Sequence, residues 1–223
     1  MWGIQKLGGL AAFVQIGLMV VILLADLVLL PAAGLSPVDG QLPEAGTVLA
    51  KNNNPTLVVL DLAALVLSQT IILIWAGLRD RLGGNAPNRS RLAMASASIA
   101  SVLFVAGSVT SLNSRPMLAT IQDETVAVTV GLGLRTITGG LFGGGALMVG
   151  WAAILSGWAA LSKGGLPKLL SWLLLISGVG LMLPLLPSAI PSPEAALLLY
   201  VGIAAKATIP IWTIWLGLLL WHG

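Results

Sequence analysis

Of the 223 residues, 57% are hydrophobic and only 9% are charged, and mean hydropathy is +0.99. Soluble domains carry roughly a quarter of their residues as charges, so this composition excludes that class and places the chain in a bilayer. There is no cysteine, and the one histidine, His222, is next to the last residue; disulfides, thiolate metal sites, thiol nucleophiles and histidine-ligated metals are therefore not expected.

An apolar run of about 20 residues spans the ~30 Å hydrocarbon layer. Such runs predict an all-α polytopic bundle, a single transmembrane domain over 1–223, with spans at about 8–30, 56–78, 92–112, 139–162, 168–187 and 195–220. The first run, behind Lys6, is far longer than the ~7–15 residues of a signal-peptide core, and it holds Gln15 and Asp26, so it reads as a retained helix. A loop rich in Pro and Gly, from Pro31 to Pro55, separates it from the second span.

The next loop carries Arg79, Arg81, Arg89 and Arg91 against Asp80 alone, and the turn from Lys163 to Lys168 adds two positives. With Lys6, seven of the eleven basic residues fall on one side, which the positive-inside rule makes cytoplasmic, along with both termini. The net charge of +3 thus reflects topology and not nucleic-acid binding. Lys51, Arg115, Asp39, Glu44, Asp123 and Glu194 fall in the opposite loops. Trp2, Trp75, Trp158, Trp172, Trp215 and Trp221 stand near the cytoplasmic ends, as an interfacial belt would, while Trp151 and Trp212 stand deeper.

Residues 120–138 do not form a span of their own, because a seventh crossing would carry Lys163 and Lys168 outside. Thr120 and Asp123-Glu124 signal a helix start. An extracytoplasmic helix is expected there, lying on the interface or running into the fourth span.

The fourth span carries small residues at alternating steps of four and three: Gly139, Gly143, Ala146, Gly150, Ala153, Gly157 and Ala160. In lipid such a stripe lets backbones approach closely, either within the chain or against another copy or subunit, and its period favours a left-handed crossing. The last span holds Lys206 near its middle, where an ammonium costs at least ~2.5–3.5 kcal/mol unless it is paired or hydrated. Pro210 has no N–H for the carbonyl of residue 206, so a kink is expected beside that charge.

The other charges within reach are Asp26, Asp61 and Arg135. Gln15 lies about 20° from alignment with Asp26 on one helix face, and Asp61, Ser68 and Gln69 are placed together on another. The expectation is that these faces turn inward, and that Asp26 or Asp61 meets Lys206 or Arg135. The result is a register-fixing ion-pair network, or a pocket for a zwitterion, lipid headgroup or ion.

No HExxH, phosphate loop, nucleophile elbow or paired Cys/His ligand set occurs. Neither a cofactor nor enzymatic activity is expected. The expected partners are membrane lipids and other transmembrane subunits or a homo-oligomer.

From Gly145 to Gly217 the chain resembles bacterial integral-membrane families catalogued as domains of unknown function. The resemblance rests on the turn Gly165-Leu166-Pro167-Lys168, on Ser171-Trp172-Leu173 through Ser177-Gly178-Val179, and on Ile209-Pro210-Ile211-Trp212-Thr213-Ile214-Trp215-Leu216-Gly217. It implies a six-helix protein of the bacterial inner membrane and brings no activity with it. Two functions stay open: a structural or accessory subunit packing against other helices, or a small carrier using the charged cluster around Lys206.

Overall fold

The computed structural model describes residues 3–29, 32, 54–183, 201–202, 204–205 and 207–222. Six helices account for almost all of them: α1 (Ile4–Leu24), α2 (Pro55–Leu82), α3 (Pro87–Ala119), α4 (Glu124–Lys163), α5 (Lys168–Met182) and α6 (Ile209–His222). A π-helical turn, Ala25–Leu29, extends α1 and carries the backbone of Asp26.

Local chemistry sets the ends. Asn54 caps α2 by accepting from the Thr56 N–H at 2.8 Å, with Pro55 in the first turn, where its missing N–H costs nothing. Asp123 caps α4 by accepting from the N–H groups of Thr125 and Val126. Gly164 and Gly165, at φ 81° and 102°, make the reversal between α4 and α5, a backbone region L side chains rarely adopt.

Consecutive helices pack antiparallel, and α6 returns to α1 and touches α5, closing a ring. At one end Gln5 donates to Asp80, Arg81 donates to the carbonyl of Gly165, and Arg89 donates to Ser162. The α2–α3 and α4–α5 turns, the start of α1 and the end of α6 therefore share this basic end. The packed core lies in the half next to it, where Leu82, Leu170, Leu216 and Leu220 are fully buried below Trp75 and Trp212. The two indoles meet edge to face with centroids 6.2 Å apart. Trp75, expected in the interfacial belt, is a core residue, because distance along a helix gives depth but not the direction a side chain faces. Trp158 and Trp172 do lie on the exterior, and the Arg89 guanidinium stands 3.9 Å over the Trp158 ring.

The outside is apolar. Val102, Leu169, Ile211 and Leu92 are each more than half exposed, and at most 39% of any spanning window is buried. Such a surface suits acyl chains and not water. Four helices, α1 to α4, are long and apolar enough to cross a membrane. Together these features make the chain a multi-pass integral membrane helix bundle.

The helix expected over 120–138 runs into the fourth span, one of its two expected courses, and one expected boundary, the end of α3, differs. Residues 124–138 and 139–163 form one uninterrupted helix of 40 residues, since Gly139-Gly140 inside a helix costs only about 1 kcal/mol each and breaks no hydrogen bond. Helix α3 runs through Pro116 to Ala119, so Arg115, expected in a loop, is helical. Pro116 removes one intrahelical bond, the one to the Leu112 carbonyl, and the helix continues for three more residues.

Candidate functional site

Among the described residues the one buried charged side chain, Asp61, meets the part-buried Arg115 between α2 and α3. The Asp61 carboxylate accepts from Arg115 through one oxygen, Oδ2, at 2.6 Å. The same oxygen accepts from the Ser111 hydroxyl at 2.8 Å. The side chains of Arg115 and Asp61 are 13% and 10% exposed. Ser111 precedes Arg115 by one helical turn, so both address Asp61 from one face of α3.

Helix direction explains how they converge. Side chains tilt toward their own helix N-terminus. On antiparallel neighbours, Asp61 leans away from the basic end and the long Arg115 side chain leans back toward it. Asp61 lies about 30 Å along α2 from Leu82, so the pair sits near the boundary opposite the basic end. Ser114 bonds its own backbone at the Ser111 carbonyl, and Pro116 leaves the Leu112 carbonyl without its usual donor. The constellation neutralises charge and ties α2 to α3. Among the described residues no group of three or more His, Cys, Asp or Glu is placed to hold a metal.

Arg115 could have been read from the sequence. Ser111 and Arg115 stand four apart, the spacing of one helical turn, but the apolar run ends at about residue 112 and hydropathy alone puts Arg115 in a loop.

The remaining candidates scatter. Gln15 is buried on α1, with the Thr70 hydroxyl 3.5 Å from its Oε1, although Thr70 also donates to the Leu67 carbonyl at 2.7 Å. Arg135 is exposed on α4 and reaches no carboxylate among the described residues. Gln69 is also exposed: Asp61 and Ser68 face inward, but a position next to Ser68 turns a further 100° and leaves the shared face. The side chain of Asp26, and Lys206 entirely, lie outside the described residues. Pro210 stands in the first turn of α6, after a turn in which Ala207 and Thr208 donate to the carbonyls of Ala204 and Ala205.

The small-residue stripe of α4 divides into two. Gly150, Ala153, Gly157 and Ala160 are buried. A Cβ at Gly150 would stand 2.6 Å from the Gly178 carbonyl oxygen, and one at Gly157 would stand 2.6 Å from that of Ser171, so α5 lies directly on the α4 backbone. Gly139 is exposed, and a Cβ there would meet nothing within 4 Å; Gly143 and Ala146 are half-buried. A second close approach was not foreseen. A Cβ at Gly8 would stand 2.9 Å from the Leu73 carbonyl oxygen and one at Gly9 would stand 2.9 Å from that of Gly217, so α1 lies close on α2 and α6.

At the basic end, Ile4, Ala76, Arg79, Asp80, Gly83 and Met94 line an open cleft of about 470 Å³. No family model, curated protein or solved structure matches the chain.

Proposed function

We propose that this protein is a six-span accessory or structural subunit of a bacterial inner membrane, with both termini cytoplasmic, that works by packing against other transmembrane helices. One observation carries the reading: among the described residues the buried carboxylate of the bundle is answered within the chain, and two polar side chains of the spanning helices stand outside. Asp61 is closed by Arg115 and Ser111 inside, while Gln69 and Arg135 stand on the exterior. A carrier's site would leave an ionised group open toward the bundle interior, and Asp61 is closed by its partners.

The two apolar helices α5 and α6, together with the likeness of the Gly165–Lys168 turn to uncharacterised six-helix families, support six crossings. The basic residues gathered at one end support the orientation. Extraction from native membranes in a mild detergent should yield a particle larger than one copy of the chain. A strictly monomeric particle, with flux in vesicles abolished by Lys206→Met, would replace this reading by the carrier.

A further inference from the structure

The outer face of α2 carries a seam. Val59, Leu62, Val66, Gln69, Leu73 and Ala76 follow at alternating steps of three and four, the spacing of a helix–helix interface with left-handed crossing. From Val59 to Leu73 the seam stands on the outside of the bundle, and Ala76 ends it at the cleft beside Ile4 and Met94. Val59 and Leu62 are each 50% exposed, Val66 is 48% and Leu73 is 36% exposed, and Gln69 is exposed among them. The inward side of the same helix carries Asp61, Ser68, Ile71 and Trp75, all buried.

The one polar member is at the depth where it is least tolerated. Arg79 and Asp61 stand about 27 Å apart along α2, close to the thickness of the hydrocarbon layer, and Gln69 falls near the midpoint between them. Its side chain is too short to reach either interface. Its Nε2 donates to the Ser68 hydroxyl at 3.2 Å; among the described residues its other N–H and its Oε1 have no partner.

We infer that two copies of the chain pair through this seam, with Gln69 hydrogen-bonded to its own counterpart at mid-bilayer. Copies inserted with one orientation are related by rotation about the membrane normal, which preserves depth, so each residue of the seam can meet itself. A carboxamide carries both donor and acceptor and is self-complementary in that position, as a lone cation or anion would not be. A single polar residue in an otherwise apolar heptad seam is also a well-attested way to specify register and partner number. The inference rests on the subunit reading and names its partner.

The absence of cysteine makes the test direct. Val66→Cys and Leu73→Cys, both on the exposed seam, should form covalent dimers on oxidation in native membranes. Ile176→Cys, on the exposed face of α5, should not. In lipid vesicles Gln69→Leu should weaken self-association about tenfold, the effect of losing two interhelical amide bonds of the strength found within membranes. Gln69→Asn, which keeps the amide, should retain most of it. Equal cross-linking at positions 66, 73 and 176, or association indifferent to Gln69→Leu, overturns the pairing. Adducts of the α2 cysteines with a different protein also overturn it but leave the subunit reading standing; a monomeric particle overturns both.

Discussion

Removing Arg115 should cost the bundle far more than its position near a helix end suggests. In Arg115→Met the aliphatic stem still packs, but Asp61 loses its charged donor and keeps only the Ser111 hydroxyl. Stranding one member of a buried ion pair costs about 3–5 kcal/mol, and with Ser111 still in place the lower end applies. For a chain of this length about 3 kcal/mol corresponds to a fall of roughly 6–12 °C in Tm. Asp61→Asn should cost less, about 1–2 kcal/mol, because the guanidinium left behind can extend to the nearby interface. Replacing both should come within about 1 kcal/mol of the parent, since no uncompensated charge then remains. Thermal aggregation of the purified protein in detergent, read by size-exclusion chromatography, orders the four proteins. Denaturant titration in mixed micelles then gives the coupling free energy. A single Arg115→Met that melts with the parent, or a double variant whose loss equals the sum of the singles, would refute the argument that the pair matters through charge compensation.

Gly150→Ala should destabilise by about 1–3 kcal/mol, because its methyl group would be driven against the Gly178 carbonyl. Gly139→Ala on the same helix should be neutral or stabilise by up to about 1 kcal/mol; equal losses at both positions, measured by the same melts, would count against the packing described. Cysteine at Gly84, an exposed site with open space around it, should react with a membrane-impermeant maleimide only in inverted vesicles. Cysteine at Gln122 should react only from outside intact cells or spheroplasts, and the opposite pattern would reverse the orientation.

The class of protein and most of its helices were legible because hydrophobic length is a one-dimensional signal. Asn54-Pro55 and Asp123-Glu124 announce helix starts through capping, which acts over three or four residues and needs no tertiary contact. Six positives at alternate chain reversals, with Lys6 before the first span, likewise required only counting. The close approach of α4 to α5 was legible in part, since Gly150 and Gly157 declare that something must come near; Ser171 and Gly178 as the answering positions were not.

Pairing was harder to read. Periodicity puts Asp61 and Ser68 on one face but carries no information on which helix will stand opposite, and the nearest cation to Asp61 is Arg115, beyond the end of the apolar run. The same blindness to azimuth put Trp75 at the lipid interface and Gln69 inside.

Alone, then, the sequence determined that this chain lives in a membrane, how many apolar runs it offers to it, and which ends carry the positive charge. Each follows from sums over neighbouring residues, to which the bilayer responds directly. Only the tertiary structure decided which charge answers Asp61, which glycines touch a neighbouring backbone, and that Gln69 looks outward. Those depend on how each helix is rotated about its axis, and that rotation is set by packing among all six.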